Sequence, residues 1–178
     1  MNEKHIIKIS KFLSLILRHN PQKINLTLDA NGWANIDDII ANTKHLTLTK
    51  ELILLVVENN DKKRFALNDD HTKIRASQGH SIAIELGLAA KEPPEILYHG
   101  TAERFVDSIK QQGLIKKNRQ HVHLSSDKNT AINVGQRYGK PRVLVINTKA
   151  MRLDGIEFYL SENNVWLVDS VAVKYISF

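Results

Sequence analysis

Two adjacent prolines, Pro93 and Pro94, interrupt the sequence near its middle. Neither can continue a helix, and each pushes the residue before it towards extended geometry. The pattern of apolar residues also changes there, from helical spacing before the prolines to short strand-like runs after them. We therefore expect an α+β protein with two lobes, one over residues 1–91 and the other over residues 95–178.

The first lobe is predicted to contain three helices followed by a two-stranded hairpin. The helices are expected over residues 4–18, 36–41 and 49–58, with a short strand at 33–35. The hairpin strands are expected at 64–67 and 73–75, joined by a polar turn at 68–71. This order indicates a winged-helix arrangement, which often handles nucleic acid and also serves as a protein-interaction module.

The second lobe is predicted to be compact, rich in strands and mainly antiparallel. Strands are expected at residues 96–99, 121–124, 142–147, 157–160, 165–168 and 171–175. A helix is expected over 102–112, closed by Gly113 as its C-terminal cap. Residues 131–141 are expected to be another helix, which ends in a basic turn with glycines around Arg137.

Composition narrows the classes of function. The 178 residues include no cysteine, which excludes a disulfide framework, a thiolate zinc site and a cysteine nucleophile. The formal net charge of +6 favours an anionic partner. No signal peptide or membrane span is expected, so the prediction is a cytoplasmic protein, taken as a monomer.

Two basic motifs of the first lobe have both an ordinary and a functional interpretation. Arg18 and His19 end the first predicted helix, where they could complement the helix dipole or bind a phosphate. Residues 75–81 (RASQGHS) leave the second hairpin strand and open into a predicted short helix at 82–86. They are either a plain turn or a stretch whose backbone N–H groups approach an anion.

Three motifs of the second lobe also have both an ordinary and a functional interpretation. Residues 98–101 (YHGT) are expected to end a strand and open a helix. Their glycine would let a flat ligand lie against the backbone. The ordinary interpretation is a histidine that caps the strand beside a threonine that caps the helix. In residues 121–125 (HVHLS), stacking of an imidazole on a flat ligand is favoured over a metal site, because no third ligand is placed nearby. Arg137 is either a surface residue or directed at a phosphate.

In combination and in this order, these motifs resemble the KptA-type RNA 2′-phosphotransferase family. The resemblance extends from about residue 4 to the C-terminus. It is carried by residues 18–21 (RHNP), 75–81 (RASQGHS), 98–101 (YHGT), 120–125 (QHVHLS), 135–141 (GQRYGKP) and 161–167 (SENNVWL).

The resemblance implies a winged-helix lobe and an ADP-ribosyltransferase-like lobe that binds NAD⁺, with the active site in the cleft between them. It also implies a two-step reaction on RNA with an internal 2′-phosphate. The phosphate attacks the nicotinamide ribose of NAD⁺ and expels nicotinamide. The ribose O2″ then attacks the phosphate, releasing RNA and ADP-ribose 1″,2″-cyclic phosphate.

The resemblance also implies roles for individual residues, with no metal. The catalytic set comprises Arg18, His19, Arg75 and Arg137. The residues implied to bind NAD⁺ as a consumed co-substrate are His99, Gly100, Thr101, His123 beside the nicotinamide, and Ser125 on its ribose.

Three positions depart from the family pattern. Asn164, Val168 and Ala172 stand where the family commonly has glycine, threonine and proline. Asparagine tolerates left-handed geometry, so Asn164 is expected to keep the same turn.

An ADP-ribosyltransferase that stops after the first step is the alternative enzyme, although the strand beginning near Asn164 lacks the glutamate often found in protein-modifying members. A non-catalytic winged-helix module is the alternative outside enzymes.

Overall fold

The computed structural model describes residues 3–178, and their contacts form two compact units. The N-terminal unit extends to Gly87, and the C-terminal unit runs from Leu88 to Phe178. Each unit combines helices with antiparallel sheet. The α+β class predicted from the sequence is therefore confirmed.

The boundary between the two units lies between Gly87 and Leu88, before the prolines at which it was predicted. The residues around Pro93 and Pro94 are bonded to the rest of the C-terminal unit, so the chain enters that unit before the prolines. Three contacts do this: the Lys91 N–H donates to the Phe158 carbonyl (2.8 Å), Glu92 pairs with Arg152 (2.7 Å), and Glu95 pairs with Lys149 (3.1 Å).

The N-terminal unit begins with α1 (Glu3–Arg18) and a 3₁₀ turn, Pro21–Ile24. It continues with β1 (Ala34–Asn35), α2 (Ile36–Asn42), α3 (Lys50–Glu58), β2 (Phe65–Leu67) and β3 (Lys73–Ala76). The strands pair antiparallel in the order β1-β3-β2. Helical spacing places one apolar face of α1 in a core shared with α2, α3 and β3. The fully buried residues of this core include Ile9, Leu13, Ile16, Leu17, Ile39, Ile53 and Ile74.

Side-chain caps explain where two of these helices begin. The Asn35 side chain accepts a hydrogen bond from the Asp37 N–H at 2.8 Å, at the start of α2. The Thr49 hydroxyl accepts from the Leu52 N–H at 3.3 Å, at the start of α3. Each cap satisfies a backbone donor that the first helical turn leaves without an internal partner.

The helix predicted at residues 82–86 is wrong. These residues have no regular secondary structure, and they alternate between partly buried and exposed. The Glu85 N–H donates to the Ala30 carbonyl at 2.9 Å. The Ile84 side chain packs on Gly32, which has φ +84°. Contacts with the turn at Ala30–Gly32 therefore hold the segment extended.

The C-terminal unit contains three antiparallel sheets, β11-β7-β4, β6-β9-β8 and β10-β5. Its strands are β4 (Ile96–Ala102), β5 (Leu114–Ile115), β6 (Val122–Leu124), β7 (Pro141–Asn147), β8 (Tyr159–Leu160), β9 (Trp166–Val168), β10 (Ser170–Val171) and β11 (Ile176–Ser177). Its helices are α4 (Val106–Gln112), α5 (Lys128–Gln136) and α6 (Thr148–Leu153). Two hydrogen bonds of 2.8 Å between the backbones of Tyr98 and Ser125 link β4 to the end of β6.

Several details of this unit differ from the prediction. Residues 98–101 lie inside β4, which pairs with β7 as far as Ala102 opposite Pro141. The following helix starts at Val106, after a 3₁₀ turn at Glu103–Phe105. The predicted strand at 171–175 is interrupted by a 3₁₀ turn, Val173–Tyr175, and α6 was not predicted. Pairing with β7 thus carries β4 beyond the predicted strand.

The predicted turn at Asn164 is confirmed. Asn164 has φ +61°, in the left-handed region. Its N–H donates to the Ser161 carbonyl, and the Ser161 N–H donates to the Val165 carbonyl, both at 2.9 Å. Asparagine adopts this conformation more readily than other residues with a side chain, so it can stand where the family commonly has glycine.

Candidate active-site residues

The end of α1 and the residues that follow β3 lie side by side in the N-terminal unit. The Ser81 N–H donates to the Arg18 carbonyl at 2.9 Å. Nδ1 of His19 lies 2.9 Å from the Ser81 hydroxyl oxygen. The Arg18 guanidinium packs over Gly79, which has φ +89°. Two motifs that are far apart in the sequence are therefore neighbours in this unit.

Arg75 lies on β3, opposite Ala66 of β2. Its Cζ is 4.6 Å from the centroid of the Trp33 ring. An arginine over an indole face gains a cation–π attraction. The tryptophan thus helps to orient the Arg75 side chain.

His80 lies next to these basic residues and was not singled out from the sequence. Its side chain is buried, with 1% of the residue exposed, and neither ring nitrogen has a hydrogen-bond partner among residues 3–178. Burial, followed by the positive charges of Arg18, His19 and Arg75, lowers the pKa of His80 to about 4. At neutral pH the ring is therefore uncharged. Its place in the RASQGHS motif was visible in the sequence, but its burial was not.

Arg18, His19 and Arg75, gathered around His80, form what we call the cationic cluster. Arg18 and Arg75 are partly buried, and His19 is exposed. Positive charges partly removed from water attract an anion more strongly than fully solvated ones. Guanidinium groups also match the geometry of phosphate oxygens with paired N–H donors. The cluster therefore has the chemistry of an anion-binding site.

His99 lies on β4 in the C-terminal unit and is oriented by the backbone of β6. Its Nδ1 is 2.9 Å from the carbonyl oxygen of His123. A carbonyl oxygen only accepts, so Nδ1 carries the proton. Burial lowers the pKa of His99, and the hydrogen bond to the carbonyl opposes this in part. The neutral ring consequently has Nε2 as a hydrogen-bond acceptor.

Gly100 serves a packing role that the sequence did not reveal. A Cβ at this position would lie 1.7 Å from the carbonyl oxygen of Ala131 in α5. A Cβ on Gly135, also in α5, would lie 2.5 Å from the carbonyl oxygen of Thr101. The two glycines let α5 pack directly on the backbone of β4. The helix covers the face of Gly100 to which a Cβ would point.

The remaining predicted residues also belong to the C-terminal unit. Thr101 is buried beside α5, with 6% exposed. The Ser125 hydroxyl donates to the Asp127 carbonyl and accepts from the Asp127 N–H, both at 3.0 Å. His123 lies on β6, where its Nδ1 is 2.9 Å from Nη1 of Arg119. Arg137 is exposed at the C-terminal cap of α5.

Two negative findings apply to the part of the chain that the structure describes. No group of three or more histidine, aspartate or glutamate side chains within it is arranged to hold a metal ion. Its helices include none with the length and apolar character needed to cross a membrane.

Comparison with known proteins assigns the family. The model of the family described as RNA 2′-phosphotransferase, Tpt1/KptA family, matches residues 4–170. This chain belongs to the RNA 2′-phosphotransferase family. The matched span contains both basic motifs of the N-terminal unit, the two histidine strands and Arg137.

Three relatives named probable RNA 2′-phosphotransferase are similar to this family member over nearly its whole length. The protein from Flavobacterium johnsoniae is 59% identical over 180 residues, covering 100% of this chain and 99% of the relative. The protein from Rhodopirellula baltica is 55% identical, covering 99% and 97%. The protein from Pseudomonas fluorescens is 54% identical, covering 99% and 98%.

Proposed function

We propose that this chain removes a 2′-phosphate from RNA and transfers it to NAD⁺. The N-terminal unit is proposed to be a winged-helix lobe and the C-terminal unit an ADP-ribosyltransferase-like lobe. Membership of the family supports the transfer of the RNA 2′-phosphate, since the family is named for that activity. The structural observation that carries the proposal is the cationic cluster, which brings two arginines and a histidine from separate motifs to one place.

The cluster is proposed to hold the phosphate while it changes partners. A phosphoryl group in transfer keeps its negative charge throughout, and fixed donors of positive charge stabilise that charge without having to reorganise. Arg18 and Arg75 stay protonated at any physiological pH. His19 is exposed and bonded to Ser81, so it can donate to a phosphate oxygen or move a proton. Arg137 of the C-terminal unit is proposed as the fourth member of the catalytic set.

The C-terminal residues fit NAD⁺ through the chemistry of their hydrogen-bonding groups. A neutral His99 offers an acceptor at Nε2, and Thr101 and His123 add polar groups on β4 and β6. A dinucleotide with amide and hydroxyl groups needs such a mixture of donors and acceptors. When bound, NAD⁺ supplies an electrophilic ribose carbon. His99, Thr101, His123 and Ser125 would hold and orient it, as would the backbone of Gly100.

The decisive experiment is a product assay. Purified protein is incubated with NAD⁺ and an oligoribonucleotide that carries one internal 2′-phosphate, and all products are identified by mass. We expect RNA with a free 2′-hydroxyl, nicotinamide and ADP-ribose cyclic phosphate. The same RNA without the 2′-phosphate is the control substrate.

Each other outcome of this assay has a distinct meaning. A stable ADP-ribose adduct on the RNA would indicate an ADP-ribosyltransferase that stops after the first step. RNA binding with no NAD⁺-dependent product would indicate a non-catalytic binding module. Either result would overturn the proposed function.

A further inference from the structure

The contact between Arg119 and His123 has a direction that the chemistry of the two groups determines. Nη1 of Arg119 lies 2.9 Å from Nδ1 of His123. A guanidinium has five N–H donors and no acceptor. Nδ1 of His123 must therefore accept this hydrogen bond, and so it carries no proton. The remaining proton of a neutral imidazole then resides on Nε2.

The same contact opposes protonation of the ring. A histidine cation carries a proton on both nitrogens, so it would turn an N–H of His123 towards the N–H of Arg119. It would also place two positive charges in contact, which is unfavourable even near the protein surface. Arg119 thus selects one of the three possible states of His123, the neutral ring with a donor at Nε2.

Local structure holds Arg119 in place for this contact. The Arg119 N–H donates to the Lys116 carbonyl at 2.9 Å, closing a turn in which Lys117 has φ +47°. His123 follows on β6, paired with Leu167 of β9. The backbone carbonyl of His123 accepts a hydrogen bond from Nδ1 of His99 on β4, and this bond orients the His99 ring. Both histidines of the proposed NAD⁺ site are therefore held in defined but opposite proton states.

We propose that Arg119 is a positioning residue that keeps His123 neutral with its proton on Nε2, so that His123 donates a hydrogen bond to an oxygen of the co-substrate. This inference rests on the proposed use of NAD⁺. It adds to that proposal a residue outside the catalytic and binding sets, and it assigns opposite polarities to the two histidines: His99 accepts at Nε2 and His123 donates at Nε2.

The first test is independent of activity. Nitrogen-15 NMR of imidazole-labelled protein near neutral pH distinguishes protonated from unprotonated ring nitrogens. We expect His123 in the wild type to have an unprotonated Nδ1 and a protonated Nε2. In Arg119→Met we expect signals averaged over both tautomers and the cation, and in Arg119→Lys, which keeps a donor, a return towards the wild-type spectrum. A protonated Nδ1 in the wild type would overturn the proposal, as would identical spectra for wild type and Arg119→Met.

The second test separates positioning from direct contact with NAD⁺. We expect Arg119→Met to raise the KM for NAD⁺ about 10-fold, the scale of one lost hydrogen bond, with kcat within about 3-fold of wild type. Glutamine has an amide N–H donor and no tautomers. In a His123→Gln background, Arg119→Met should therefore have no further effect. Arg104→Met, at another exposed arginine of the same unit, is the matched control and should behave as wild type.

The double-mutant cycle also keeps the two proposals distinguishable. If wild-type protein neither binds nor consumes NAD⁺, the proposed function fails, whatever the NMR spectra show. If the wild type uses NAD⁺ and Arg119→Met costs as much in the His123→Gln background as alone, Arg119 acts directly on the co-substrate and the positioning role is wrong.

Discussion

The carbonyl oxygen of Ala131 lies 1.7 Å from the position that a Cβ on Gly100 would occupy. Helix α5 therefore rests on bare backbone of β4, and no side chain fits between them. We expect Gly100→Ala to lower the free energy of unfolding by about 3 kcal/mol, the upper range for overpacking a core, because backbone must move. Urea denaturation measures this loss.

Gly155→Ala is the matched control for that substitution. Gly155 lies in the same unit with φ +84°, and no atom lies within 4 Å of its added Cβ. It should cost only the strain of a left-handed residue, about 1 kcal/mol. Equal losses in the two variants would mean that α5 does not pack against Gly100 as described.

Removing a charge from the proposed catalytic set should slow turnover far more than it weakens folding. We expect Arg75→Ala and Arg137→Ala each to lower kcat at least ~100-fold, the scale of losing one preorganised donor. Single-turnover release of 2′-phosphate from RNA is the measurement. Arg104→Ala, at an exposed arginine over the Phe105 ring, is the control. Near-wild-type turnover in either of the first two variants would contradict the site assignment.

His80 should make the N-terminal unit sensitive to acid. Its pKa is about 4 in the folded protein and 6.5 ordinarily, so the unfolded chain binds the extra proton first as pH falls. Stability from this residue is complete above pH 6.5 and is lost between there and about pH 4, by at most about 3 kcal/mol. Urea denaturation across this range measures the slope. His80→Gln, which cannot titrate, should show a flatter dependence, and an equal slope would refute the assignment.

His99 should be neutral, with its proton on Nδ1. The hydrogen bond to the His123 carbonyl requires that tautomer, and burial lowers the pKa of the ring. Nitrogen-15 NMR near neutral pH should show a protonated Nδ1 and an unprotonated Nε2. The exposed His71 provides an internal comparison in the same spectrum. A protonated Nε2 on His99 would remove the acceptor from the proposed NAD⁺ site.

The turn at Asn164 should tolerate glycine better than alanine. At φ +61°, alanine pays the cost of left-handed geometry without the local hydrogen bonding that asparagine offers, about 1 kcal/mol. Asn164→Gly should leave the thermal midpoint nearly unchanged, while Asn164→Ala lowers it. The opposite order would mean that the Asn164 side chain, and not its backbone conformation, maintains the turn.

Local sequence patterns predicted an element correctly where regularly spaced apolar residues were followed by residues that end a helix or strand. The spacing of Ile9, Leu13 and Ile16 predicted α1, and Asn20-Pro21 predicted its end at Arg18. Local signals failed where distant segments compete for the backbone. The segment at 82–86 became extended because Ala30 and Gly32 hold it, and β4 ran past Thr101 because β7 pairs with it.

The sequence by itself determined the α+β class, most elements, the left-handed turn at Asn164 and the motifs that carry the family resemblance. Periodicity, caps and turn residues act over a few neighbouring positions, so these features can be recognised along the chain. Tertiary structure decided which motifs meet, that His80 is buried among positive charges, and that Gly100 serves the packing of α5. These depend on distances between residues far apart in the sequence or on burial, and no local pattern encodes them.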